Sequence, residues 1–319
     1  MASTEEQAET AVVAVLEEPP RIAVMTNRNR LQVFTPTGGA LGEAPEIVGV
    51  GRFLRTSPGW IAAATDRMIL LYDARRNVSQ RLDLSLVEVT HLAIRPDDYG
   101  VFIVQERDRI GRATLAGRWV WKKELRPPVE DIALGAGGLA ALTTDDGHLT
   151  IYNPAGEPIG DYVADPVEPL CLVEAPSGAA TELAWVSLAR RNQVLRGHRC
   201  DGRVLWESPI PWEAWQLHRI GPLVVVSAPD GRALAYDGSG HAHSQGRAVA
   251  PPVAFGIGPG GEALRVVRQG EHLICSDLPG RVLWRTVAEE PLGPFAAGRP
   301  GVAALIGRSL AWFGVVEAP

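Results

Sequence analysis

Apolar residues along this chain come in short runs, and Gly, Pro, Asp or Asn closes each run before it reaches the length of a helix. Within the runs, apolar and polar positions alternate, as in Gly117-Arg118-Trp119-Val120-Trp121, Gly202-Arg203-Val204-Leu205-Trp206 and Gly280-Arg281-Val282-Leu283-Trp284. Such alternation predicts half-buried strands. Two more strands are predicted over Asp131–Leu134 and Leu139–Thr143. Pairs such as Asp146-Gly147 and Asp230-Gly231 supply the positive φ that tight hairpins need. The pattern is that of an all-β protein with short turns.

The strands recur in a fixed frame. A short apolar strand ends on an aromatic residue and Gly follows four positions later: Phe34 with Gly38, Tyr152 with Gly156, Tyr236 with Gly240. The same frame pairs Ala113 with Gly117, His198 with Gly202 and Ser276 with Gly280. Tyr72 holds the slot in the second unit, where Arg76 replaces the Gly, and Phe313 holds it in the last. The eight marks have a mean spacing of about 40 residues, the length of a four-stranded propeller blade. The expectation is a β-propeller of four-stranded antiparallel blades, eight in number, with seven as the alternative. In the last unit, Pro294–Gly298, Val302–Ile306 and Leu310–Phe313 predict only three strands. Val12–Leu16 either supplies the fourth or begins the first unit.

A strand ending in an aromatic residue, a Gly turn and then a Trp resembles the PQQ-like (quinoprotein-type) β-propeller repeat, over about residues 10–317. The resemblance implies that Trp121, Trp206 and Trp284, with the slot residues Phe34, Tyr72, Tyr152 and Tyr236, pack one blade on the next. Enzymes of that class hold pyrroloquinoline quinone with a vicinal Cys–Cys disulfide and a calcium on Glu, Asn and Asp, and they are exported. This sequence has no adjacent cysteines, so no cofactor and no catalytic residue carries over. WD-repeat propellers are the rival family, although the Trp-Asp dipeptide is absent.

Composition narrows the picture further. The 319 residues are 46% hydrophobic and 21% charged, too apolar for a disordered chain. Of the net charge of −6, five glutamates among residues 1–20 account for nearly all, since no Lys or Arg precedes Arg21. The reading is an acidic, flexible tail over 1–10 and one propeller domain over 11–319. A near-neutral body offers no footprint for nucleic acid, and Arg75-Arg76 and Arg190-Arg191 are too small to make one. Lys122 and Lys123 are the only lysines, and the excess of Arg over Lys is assigned no function. Cys171, Cys200 and Cys275 form no CxxC or paired framework, and the N-terminus lacks a secretory signal, which points to the reducing cytoplasm. The apolar run Ala11–Leu16 is too short to span a bilayer.

Several motifs resemble chemistry. Gly256-Ile257-Gly258-Pro259-Gly260-Gly261 spells GxGxxG, but a strand and not a helix is predicted after it, which makes it a turn. His241 and His243 form an HxH pair with no third ligand beside them. Asp97-Asp98 and Asp145-Asp146 are carboxylate pairs placed in turns. No convergent catalytic set, metal site or cofactor site emerges.

The remaining feature is Trp206-Glu207-Ser208-Pro209-Ile210-Pro211-Trp212-Glu213-Ala214-Trp215. Trp206 belongs to the blade pattern. Trp212 and Trp215 fall on the connection to the next unit, where they are candidate partner anchors or rim cover. The sequence therefore reads as a non-catalytic scaffold or subunit of an intracellular, bacterial multiprotein complex. Operons that pair MoxR ATPases and von Willebrand A proteins with propellers supply a context by analogy only. The alternative is an enzyme or small-ligand binder using a central channel, disfavoured because first strands such as Ala93–Arg95 and Ile132–Gly135 are mainly apolar.

Overall fold

The computed structural model describes residues 12–16, 19–26, 30–43, 46–49, 53–95, 100–163, 170–176, 182–189, 193–250, 252–258, 260–287, 292–298, 301–306 and 309–314. The expectations for the tail over 1–10, for Asp97-Asp98 and for Arg190-Arg191 lie outside these residues.

The protein is an all-β propeller of four-stranded antiparallel blades, built from consecutive hairpins. Seven sheets have four strands in chain order, the number that the seven-blade alternative gave. The expectation of eight full blades is corrected. The last sheet, Leu292–Gly298, Gly301–Ile306 and Ser309–Gly314, has three strands among the described residues. Glu317, not Gly, stands four residues after Phe313, as Arg76 does after Tyr72. Val12–Leu16 is already committed to Arg21–Met25 as the first strand of the first sheet.

All eight marks fall on third strands. The turn that follows is the same in six sheets. At Thr35, Thr114, Asn153, Arg199, Asp237 and Asp277, the N–H donates to the carbonyl four residues on, and the glycine three residues on donates back. That glycine has positive φ, as at Gly156 (+85°) and Gly240 (+81°), and a bulge in the register follows. Side chains reinforce the turn where they can accept: Asp237 Oδ1 takes the N–H groups of Ser239 and His241. In the second sheet, where Arg76 stands for Gly, Asn77 takes the positive φ (+55°) and its Oδ1 accepts the Tyr72 hydroxyl at 3.0 Å.

The sheets fall into two compact units. One comprises residues 1–86 and 248–319, and the other residues 87–247. In the first unit, Leu16, Met25 and Leu31 pack on Leu54, Ile61 and Leu70 of the second sheet. Val13, Val15, Ile22 and Val24 pack on Ala303 of the last sheet, with Phe34 against the same cluster. Thus sequence-distant ends meet in one core. Trp284 packs against Val302 through a cluster of Leu264, Val266 and Leu273.

In the second unit the outer-strand Trp residues do what the repeat predicts. Trp121 donates its indole N–H to the Pro154 carbonyl at 3.0 Å and lies on Gly156 of the next sheet. It also stacks with Tyr152, ring centroids 6.1 Å apart, and meets Phe102 edge-on. Trp206 repeats the arrangement with the Gly238 carbonyl at 3.2 Å and with Gly240, beside a core that holds Tyr236. The intervening contact uses another aromatic: Tyr162 meets the ring of His198 at 5.4 Å.

A Cβ at Gly156 would lie 2.6 Å from Trp121, whereas one at Gly38 meets nothing within 4 Å although both share the same strained φ. Gly38→Ala is therefore expected to cost about 1 kcal/mol from backbone strain alone. Gly156→Ala is expected to cost about 3 kcal/mol, because overpacking against the indole adds to it. Urea denaturation of the two variants checks this. Equal losses would mean that the Trp–Gly contact contributes nothing.

Candidate partner-binding site

The connection between Val204–Pro209 and Gln216–Ile220 is short and tied down at both ends. Pro209 presents its carbonyl to the Tyr236 hydroxyl at 3.2 Å, and the Ile210 N–H donates to the Gln193 carbonyl at 2.6 Å. Ile210 and Ala214 are buried plugs. At the far end the Trp215 N–H donates to the Ser227 carbonyl at 2.9 Å, and the Cys171 thiol lies 3.9 Å from the Trp215 carbonyl. Burial of Ile210 and Ala214, with the amides of Ile210 and Trp215 bonded at either end, leaves little conformational freedom.

The two Trp residues of this loop have different fates. Trp212 is half-buried against the core of Val224, Leu234 and Tyr236. The Arg232 guanidinium covers its ring, 5.3 Å from the centroid. Arg232 is itself held by Asp230 at 2.7 Å, and that hydrogen bond keeps the Asp230 carboxyl below its ordinary range. Trp215 is 53% exposed, among the most exposed large apolar side chains described. Trp212 is thus covered by its neighbours, whereas the Trp215 indole is left exposed. Sequence reasoning missed Arg232. Its position at the start of the strand Arg232–Tyr236 of the next sheet is what divides the pair.

The other motifs are placed as turns or packing. The GxGxxG segment begins inside the strand Pro252–Ile257, ahead of the strand Ala263–Gln269, and the Glu262 carboxylate sits against Gly258, where a phosphate would need the backbone amides. His241 and His243 are exposed, with the His241 ring on the Ser239 hydroxyl at 2.8 Å. No group of three His, Cys, Asp or Glu side chains converges among the described residues. Asp146 accepts the Thr144 hydroxyl at 2.6 Å in its turn. First strands are more polar than the sequence suggested. There Asp131 accepts the Leu172 N–H of the neighbouring sheet at 2.9 Å, and Arg219 pairs with Glu174 at 2.6 Å. These groups tie one sheet to the next.

His198 is the most perturbed group with a clear structural task. Its Nδ1–H donates to the Gly202 carbonyl at 3.0 Å, so Nε2 accepts the Ser187 hydroxyl at 2.7 Å. Full burial is the main cause that lowers its pKa to about 4, against the weaker opposing effect of the Gly202 carbonyl.

No family model and no curated protein sequence matches the chain. Solved structures do match, and they show the fold alone. The C-terminal WD40 domain of Sif2 superposes with a TM-score of 0.73 at 10% identity, covering 97% of each chain. Sqt1 of Saccharomyces cerevisiae gives 0.69 at 11% identity, covering 98% of each. The computationally designed Ika8 protein gives 0.72 at 12% identity, covering 97% of this chain and 98% of its own. The chain therefore resembles WD40 domains in structure without carrying their Trp-Asp dipeptide.

Two outcomes are expected. Trp212→Ala should destabilise by about 2 kcal/mol, through lost packing and the lost cation–π contact, while Trp215→Ala should stay within about 0.5 kcal/mol of the parent. Thermal and urea melts of both variants check this. The second outcome concerns pH. The unfolded chain binds the His198 proton near pH 6.5 and the folded chain only near 4, so stability falls as pH drops through that window. The loss between pH 7 and pH 5 from this residue is about 2 kcal/mol. His198→Asn, which keeps a donor for Gly202, should flatten that part of the pH profile, and an unchanged profile would contradict it.

Proposed function

We propose that this protein is a non-catalytic propeller that holds a partner protein, with Trp215 as the anchor. The observation that carries the reading is a large exposed indole on a backbone fixed by buried neighbours and hydrogen bonds. Residues of this kind dominate binding energy where they enter a partner's pocket, because little conformational freedom is lost on docking. The resemblance to WD40 domains supplies a fold whose connections vary without disturbing the blades. The proposal places the protein in a bacterial cytoplasmic complex. The three free cysteines favour a reducing compartment. A PQQ-like repeat without the quinone remains our reading of its ancestry, and the Trp–Gly contact of two sheet pairs supports it.

The test is affinity capture of the tagged chain from its native cells, with the partner identified by mass spectrometry and its affinity then measured. Trp215→Ala is expected to weaken binding about 30-fold, the effect of a 2 kcal/mol hot spot, at unchanged melting temperature. Retention of the partner at parental affinity by a folded Trp215→Ala variant would overturn the assignment of the anchor.

A further inference from the structure

We propose a second docking surface, independent of Trp215: the outer strand of the third sheet, Trp119–Glu124, receives an extended acidic segment of a partner protein. Both lysines of the chain, Lys122 and Lys123, lie on this strand, with Arg118 and Arg126 just beyond its ends. No other outer strand described carries two adjacent cations. The acidic side chains nearby are already engaged. Glu106 pairs with Arg109 at 2.6 Å and Glu130 pairs with Arg107, while Glu124, on the strand itself, is the one acidic residue of the row and stands across the ladder from Arg109. Among the described residues, that leaves Arg118, Lys122, Lys123 and Arg126 without a carboxylate partner.

Aromatic rings hold the lysines in place. The Lys122 ammonium lies 4.2 Å from the Trp119 ring centroid, and that of Lys123 lies 5.5 Å from the Tyr152 centroid. A π face orients a cation without cancelling its charge, so the positive field stays available to a ligand. The strand pairs only with Arg109–Ala113 among the described residues, which leaves its outer backbone edge open. Val120, 46% exposed, adds an apolar contact. Lysines on an edge also discourage pairing with another neutral or basic strand. That same charge admits an acidic one, and the other outer strands manage their edges without lysine. Successive side chains alternate faces, so Lys122 shares a face with Val120 and Glu124 while Lys123 lies on the other; an extended partner with carboxylates at every second residue sets them about 7 Å apart on one side, the side on which they meet Lys122.

The experiment uses the full chain and a fluorescein-labelled (Glu-Val)4 peptide, read by anisotropy at low and moderate salt. The expected result is saturable, salt-sensitive binding that Lys122→Glu/Lys123→Glu weakens at least tenfold. Arg281→Glu/Arg285→Glu, an equal charge change just before and within another outer strand, Val282–Val287, should alter it less than twofold. Circular dichroism confirms that the variants are folded, and Lys122→Ala/Lys123→Ala replaces the reversal if that variant does not fold. Three outcomes would overturn the proposal: no binding to the parent protein at millimolar peptide, equal weakening by both charge reversals, or tighter binding of a single-stranded oligothymidylate than of the peptide. None of them touches the Trp215 reading, whose test uses a different variant and a different ligand.

Discussion

A tryptophan indole lying on the backbone of a glycine turn is the contact that joins two of the three neighbouring sheet pairs in the second unit. Its N–H reaches the carbonyl two residues before that glycine, at Pro154 for Trp121 and at Gly238 for Trp206. The geometry requires two things at once. The turn must place a residue at positive φ, and that residue must have no Cβ, because the ring occupies the space. One glycine answers both demands. A local hairpin signal is thereby coupled to the seam between sheets, and the turn that ends one third strand also fixes where the previous outer strand can lie.

That coupling explains what could be read from the chain. All eight third strands were legible, since the turn is decided within five residues by hydrogen bonds that recur in six copies. The outer-strand Trp residues were legible for the same reason. Val12–Leu16 was not, because nothing local distinguishes a first strand of one sheet from a fourth strand of another. Only its pairing with Arg21–Met25 does so. The count of full blades was not legible for a related reason: Tyr72 and Phe313 both lack the glycine four residues on, yet among the described residues only the sheet of Tyr72 has a fourth strand.

The sites were less legible than the frame. Trp212 and Trp215 are three residues apart and look equivalent in sequence, yet Arg232 from the neighbouring sheet covers one and not the other. His198 occupies an aromatic slot, and no spacing rule announces that Ser187, on the second strand of the same sheet, will satisfy its Nε2. Lys122 and Lys123 were visible but set aside as compositional bias. Their meaning depends on the outer position of the strand and on Trp119 and Tyr152 standing under their ammonium groups. For Trp212, His198 and Lys123 the deciding neighbour comes from another strand, and periodicity along one strand carries no information about it.

The anchor role proposed for Trp215 has a physical basis in the connection that carries it. Half of an exposed indole represents on the order of 3 kcal/mol of burial not realised in the isolated chain. Had Trp215 sat on a loose loop, much of that would be lost to ordering the loop on binding. Here Ile210 and Ala214 are buried in the fold, and the amides of Ile210 and Trp215 are bonded to neighbouring strands, so the ordering cost was met when the chain folded. The same reasoning applies to the lysine pair, whose side chains are among the most flexible in proteins but rest on aromatic faces. Rigidity that began as a solution to sheet packing is thus available to recognition at two separate places on the same unit.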